Sequence, residues 1–221
     1  MVLTSTHFVI DESASMSALE RDVYDGVQQM LHELPKDGFV TFSRFNHEVT
    51  LGARQACGEV TKVPRKPCCG KTALYDAILA AIAHEEEHPV DNTHVVIVTD
   101  GLDNASHRIA ADVSAAVTRV REEHAWAVTF LGCNQDAVLT AKTLLGIGEE
   151  CALTYEPSSD GVQAAFRALS ANSSDFATGG GVAAFTAVQR QTSLPLRFEK
   201  QTADFCSAPK LCRQRSHVVR P

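Results

Sequence analysis

Five oxygen-bearing side chains, Asp11, Ser13, Ser15, Thr72 and Asp100, are the residues of this 221-residue chain whose types and spacing could do chemistry. Carboxylate and hydroxyl oxygens are the donors that hard cations such as Mg²⁺ prefer, in octahedral arrangements that often keep several waters. Two serines, a threonine and two aspartates suit such an ion. Ordinary duties compete with this reading. Ser13 or Ser15 could cap the following helix by accepting an unpaired backbone N–H, and a lone aspartate after a strand occurs in many α/β folds without a metal. The combination of three loops is what favours the ion.

The elements that would position these residues follow from hydrophobic pattern. Phe8–Ile10 reads as a buried strand ending on Asp11, and Val95–Val98 as the most apolar strand, ending on Thr99, Asp100 and Gly101. Between them, Met16, Leu19, Val23, Val27, Met30 and Leu34 mark one helical stripe stopped by Pro35 and Gly38. Phe39–Phe45 and Val49–Leu51 read as strands joined through Asn46 and His47, an antiparallel edge hairpin. Cys57–Gly70 reads as loop, and Leu74, Ile78, Ala81 and Ile82 as a second helix. Further on come a helix with Ile109, Val113, Val117 and Val120, a strand over Trp126–Leu131, a helix with Val138, Ala141, Leu144 and Leu145, a strand over Cys151–Tyr155, and a helix with Val162, Phe166 and Leu169. Apolar strands alternating with amphipathic helices predict a doubly wound α/β fold, a mostly parallel sheet with one antiparallel edge strand and helices on both faces. In such a sheet, ligands bind beyond the carboxyl ends of the strands, where Asp11 and Asp100 fall.

At this point the residues carry a family resemblance. Asp11-Glu12-Ser13-Ala14-Ser15 resembles the D-x-S-x-S motif of von Willebrand factor type A domains. Gly70-Lys71-Thr72-Ala73-Leu74-Tyr75-Asp76 is similar to their threonine loop, and Thr99-Asp100-Gly101 to their third loop. The resemblance covers about residues 4–172, and Phe130–Asp136 is similar to small stand-alone bacterial and phage members. It implies a Rossmann-like fold with a metal-ion-dependent adhesion site. Ser13, Ser15 and Thr72 would touch Mg²⁺ or Mn²⁺, Asp11 and Asp100 would hold its waters, and a protein ligand presenting Glu or Asp would fill the open position. The family's usual glycine between the serines is Ala14 here, which is costly if the loop needs φ > 0. Glu12, Asp103 and His107 are candidates for the rim of the site. Glu12 could tighten the cation or compete with the partner's carboxylate.

Other signals are weaker. Gly70-Lys71-Thr72 has the ending of a phosphate-binding loop, but the first glycine is replaced by Arg65 and Pro67 stiffens the interior. Asp11 as a phosphorylated nucleophile would need a second carboxylate two residues on, where Ser13 stands. His107 could act as general base of a metal-dependent hydrolase, against the plainer reading of a surface histidine. A third reading keeps the fold with an empty site. Glu85-Glu86-Glu87-His88 reads as a solvated helix end, and Trp126 as a core residue at a strand start.

The formal net charge of −7 argues against a general nucleic-acid binder. From Leu194 onward six basic side chains oppose two acidic ones, a net +4, which leaves −11 for the remainder. The seven cysteines, an odd count without framework spacing, read as reduced thiols. With no leader-like or membrane-length apolar run, the expected setting is the cytoplasm, with no membrane partner. The expected organisation is an A domain over 1–172, a glycine-rich linker with a possible short helix over 173–193, and a basic, weakly ordered tail over 194–221.

Overall fold

The computed structural model describes residues 2–133, 137–177 and 183–193. Its first strand, β1 (Thr4–Asp11), is buried along its whole length and begins well before the apolar run Phe8–Ile10. The polar half is buried because it finds partners inside: Ser5 and His7 both hydrogen-bond Glu85. A polar group whose bonds are made can leave water at little cost. The expected helix from Met16 to Leu34 is divided at Leu19, with a 3₁₀ turn over Ala14–Ala18 followed by α1 (Glu20–Glu33). α1 buries Val23, Tyr24, Val27, Met30 and Leu31, one stripe of helical period. It stops at Leu34, which is extended because a residue preceding proline avoids the helical region.

The remaining elements are β2 (Phe39–Phe45), β3 (Val49–Thr50), β4 (Gln55–Ala56), α2 (Leu74–Glu87), β5 (Asn92–Thr99), α3 (Ala110–His124), β6 (Ala127–Cys133), α4 (Ala137–Leu144), β7 (Ala152–Tyr155), α5 (Ser159–Ala177) and α6 (Ala187–Thr192). The sheet order is β3-β2-β1-β5-β6-β7, with β4 also pairing β2. All pairs are parallel except β3 and β4, which run antiparallel to β2. The expected antiparallel edge is therefore present, split into two short pieces.

Alternation along the strands builds two cores. Phe8, Ile10, Val96, Val98 and Leu131 pack beneath α1 and α5. Val9, Val95, Ile97, Val128 and Phe130 pack beneath α2, α3 and α4. Burial on both faces is why these strands read as unbroken apolar runs. From β1 the chain crosses to β2 on one side and later returns as β5 on the other. The carboxyl ends of β1 and β5 therefore flank the point where the winding reverses, the usual crevice of such a sheet. Asp11 and Asp100 lie at its mouth.

Two expectations change. α5 continues beyond 172 to Ala177, because Ser173 reaches the buried His94 and Phe176 packs on its ring (3.2 Å and a 5.8 Å centroid distance). The segment read as linker from 173 thus begins as helix, and its short helix is α6. Within the Glu85–His88 segment, read as a solvated helix end, Glu85 departs: it is fully buried, while Glu87 and His88 are exposed. The basic tail from 194 lies outside the described residues. No described helix is long and apolar enough to cross a membrane, and none of the five described cysteines is in a disulfide.

Candidate metal centre

The first loop leaves β1 at Asp11 and turns into the 3₁₀ segment. Ser13 occupies the N-cap position of that turn, yet its side chain makes no capping hydrogen bond. Its hydroxyl instead meets that of Ser15 at 3.1 Å, and Ser15 donates to Asp100 Oδ1 at 2.6 Å. Because the Ser15 proton lies on Asp100, Ser13 must be the donor between the serines. The capping alternative for these residues therefore fails. Their oxygens form a chain running from the first loop to the third.

Asp11 sits behind this chain, 1% exposed. Its Oδ1 accepts the Ser13 backbone N–H at 2.7 Å and its Oδ2 accepts the Thr99 hydroxyl at 2.6 Å. Thr99 carried no role in the sequence reading, although strand register points to it. Ile10 opposes Val98, so Asp11 and Thr99 are the next pair on one face of the sheet.

The threonine loop closes the third side. Gly70 accepts the Ala14 N–H through its carbonyl (3.2 Å), and Cys69 N–H donates to the Glu12 carbonyl (2.8 Å). Gly70 has φ +77°, a conformation that favours glycine, and a Cβ there would lie 2.4 Å from the Nδ1 of the exposed His47, whose ring would have to shift. Thr72 is 3% exposed. Its N–H donates to Asn104 Oδ1 (2.9 Å), and its carbonyl accepts from the N–H groups of Asn104 and Ala105 (2.9 and 3.1 Å). Its hydroxyl faces Gly101, 3.8 Å from where a Cβ would stand. Asn104 is thus a positioning residue for Thr72. The concern over Ala14 does not materialise: among described residues only Ala125 combines positive φ with a side chain.

The electrostatics favour a cation. Burial pushes the Asp11 carboxyl up to about 6, against the hydrogen bonds from Thr99 and Ser13, and the charge of Asp100 adds to the rise. Burial also raises Asp100, against its bond from Ser15. The Ser13 and Ser15 hydroxyls and the two carboxyls are all oxygen, the donor chemistry that a hard divalent ion takes, and the Thr72 hydroxyl faces Gly101 next to Asp100.

The three rim candidates have other tasks. Glu12, 4% exposed, accepts on Oε1 from the Tyr24 hydroxyl (2.5 Å) and the Lys66 N–H (2.8 Å), with Arg44 at 3.7 Å. It clamps the loop before Thr72 and does not face the cluster's open side. Asp103 Oδ1 accepts the Tyr75 N–H (3.3 Å) and the Ser106 hydroxyl (2.5 Å) at the start of α2. The His107 side chain is 92% exposed and lies 3.1 Å from Asp76 Oδ2, which also accepts the His107 N–H. Asp76 is therefore a joint between α2 and the third loop.

No family model matches this sequence, and no curated protein does. Solved structures do share its fold. A von Willebrand factor type A protein from Catenulispora acidiphila aligns with TM-score 0.59 and 16% identity, over 78% of this chain and 43% of that one. Proximal thread matrix protein 1 from the mussel byssus, in a form with a zinc-occupied MIDAS motif, aligns with TM-score 0.55 and 17% identity, over 76% and 44%. The von Willebrand domain of a type V pili tip protein from Porphyromonas gingivalis aligns with TM-score 0.58 and 10% identity, over 80% and 95%. This chain spans less than half the length of the first two. At these identities the likeness is one of fold: the chain has the von Willebrand factor type A fold.

Proposed function

We propose that this von Willebrand factor type A fold serves as a metal-dependent protein-binding module. Asp11, Ser13, Ser15, Thr72 and Asp100 would hold Mg²⁺ or Mn²⁺, and the ion's open position would take a Glu or Asp of a partner protein. The observation that carries this reading is the chain of oxygens from Ser13 through Ser15 to Asp100, made by serines that cap nothing. Neutral hydroxyl donors leave most of the ion's charge uncompensated, and that remaining charge is what would attract a carboxylate. Lys71 and Arg108, both exposed on the flanking loops, would steer an acidic surface toward the site.

The protein's own residues do the rest. Thr99 and the Ser13 N–H orient Asp11, Asn104 orients Thr72, and Glu12 fixes the loop between them. The alternative, a hydrolase with His107 or Asp103 as base, is the weaker reading because the chain of oxygens runs through Ser13, Ser15 and Asp100, whereas Asp103 is engaged by Tyr75 and Ser106 and the His107 ring pairs with Asp76 at the start of α2.

The test is isothermal titration with Mg²⁺ and Mn²⁺, followed by partner capture with and without EDTA. Wild-type protein is expected to bind one ion at the cluster and to lose its partner in EDTA. Partner binding that persists in EDTA, or in the Asp11→Ala variant, would overturn the reading.

A further inference from the structure

On the same face of the sheet as Asp11, but toward the other end of β1, lies a second cluster that the proposed function does not use. His7 of β1 and Glu85 of α2 are both fully buried. His7 Nδ1 lies 2.9 Å from Glu85 Oε1, and His84 Nδ1 lies 3.3 Å from the same oxygen. One donor atom from each of His7, His84 and Glu85 lies within 4.8 Å of the other two. We propose that His7, His84 and Glu85 form a metal site separate from the hydroxyl cluster, one that takes a borderline divalent ion such as Zn²⁺ and ties β1 to α2.

The donor set is the first argument. Two imidazole nitrogens and one carboxylate oxygen suit Zn²⁺, whereas an all-oxygen cluster suits harder ions, so with Mg²⁺ in excess at the hydroxyls the softer ion would be directed to the imidazoles. Bond lengths of about 2.0–2.2 Å around a tetrahedral ion separate its donors by roughly 3.5 Å. The two separations from Glu85 Oε1, 2.9 and 3.3 Å, lie just below that value and no pair exceeds 4.8 Å, so the donors would need only modest movement to meet an ion.

The surroundings are the second argument, because metal ligands are oriented by outer hydrogen bonds. Those bonds already exist. His7 Nε2 meets Ser43 Oγ at 2.7 Å, and Glu85 Oε2 accepts the Ser5 hydroxyl at 2.7 Å. Without metal, Oε1 can accept from both Nδ1 atoms, with Thr41 Oγ1 at 3.3 Å. With metal, each imidazole carries its proton on Nε2 instead, and for His7 that proton points at Ser43. The exchange of tautomers releases no proton from a neutral ring.

Access is the third. The His84 side chain is 10% exposed and lines an open cleft with Phe39, Arg54 and His88, so an ion and a water as fourth ligand would enter past His84 to reach the buried His7 and Glu85. His88 stacks on His84 at 4.5 Å between centroids, which limits the ring's rotation. One group opposes the ion. The Arg54 guanidinium lies over Phe39 (4.2 Å), donates to the His88 carbonyl, and interacts with the charge of Glu85. Its positive charge lowers the affinity without filling a ligand position.

Co²⁺, a spectroscopic stand-in for Zn²⁺, tests the site when titrated into the full chain in excess Mg²⁺. One equivalent is expected to give the visible bands of a tetrahedral nitrogen and oxygen site, without the near-ultraviolet band of a thiolate ligand. The bands should persist in Ser15→Ala, which alters only the hydroxyl cluster, and disappear in His84→Ala. The near-isosteric Glu85→Gln should lose them too, with the circular dichroism of each variant reporting its fold. In parallel and with Mg²⁺ in excess, Zn²⁺ should raise the melting temperature of wild type more than that of His84→Ala. No Co²⁺ uptake, thiolate bands, or uptake unchanged in His84→Ala would overturn the proposal. The two sites share no residue, so either reading can fail without the other.

Discussion

Ser15 donates a hydrogen bond to Asp100 across 2.6 Å, joining two loops 85 positions apart in sequence. The bond fixes the Asp100 carboxylate from outside its own loop, and it leaves the mouth of the crevice with a preformed edge. Ser15 is itself exposed, so removing its hydroxyl disturbs little packing. Ser15→Ala is expected to weaken Mg²⁺ binding by about tenfold or more while moving the melting temperature very little. Titration calorimetry beside a thermal melt reads both quantities. An unchanged ion affinity would remove Ser15 from the donor set.

Thr99 tests the layer behind the donors. Its hydroxyl supports Asp11 Oδ2 from inside the sheet, where water cannot substitute. Thr99→Val keeps the shape and removes the bond, so ion affinity should drop by about 10–100-fold, as for other outer-shell partners. The same change leaves a buried carboxylate oxygen short of a donor, at a cost of about 1–3 kcal/mol in stability. Thr99→Ser should restore most of both. Equal ion affinity in Thr99→Val and wild type would show that Asp11 needs no such support.

The contrast between Asp11 and Glu12 shows how far a sequence carries this protein. Asp11 and Asp100 stand out because each ends a run too apolar to lie anywhere but the core, and the serine spacing marks the turn between strand and helix. Glu12 looks equally close to the cation along the chain, but its partners Tyr24, Arg44 and Lys66 come from α1, β2 and a distant loop. Local spacing holds no information on such meetings. The same limit hid the polar layer of Ser5, His7 and Glu85. An alternation that puts polar residues in the core looks like surface until the partner on another element is known. Ala14 is the reverse case: its fitness depends on one backbone angle that no residue pattern reports.

His94 gives the fold a pH dependence. It is buried on β5 between Thr129 and Ser173 (2.8 and 3.2 Å), and burial lowers its imidazole from 6.5 to about 4. In the unfolded chain the ring gains its proton below about pH 6.5, while in the folded chain it stays neutral down to about 4. The unfolded state therefore binds more protons throughout that window. The contribution of His94 is complete above the upper limit and is lost as pH falls through the window, by about 1.4 kcal/mol for each unit. Urea unfolding at several pH values should show this slope in wild type and a shallower one in His94→Gln. Identical slopes would mean that another group sets the acid sensitivity.

Ala125 closes α3 in the left-handed region, at φ 53°, while the Trp126 N–H returns to the Val120 carbonyl at 3.2 Å. This arrangement ends a helix well but ordinarily uses glycine, because a Cβ crowds the neighbouring carbonyl at positive φ. Against relief of that crowding stands only the greater freedom of glycine in the unfolded chain, since the position lies beyond the end of the helix. Ala125→Gly should therefore stabilise the protein by roughly 0.5–1 kcal/mol, a rise of no more than about 4 °C in melting temperature for a chain of this length. Ala125→Val, β-branched and less tolerant of the same angle, should move the melt the other way. A glycine variant that melts lower than wild type would show that the Ala125 methyl contributes more by packing than it costs in strain.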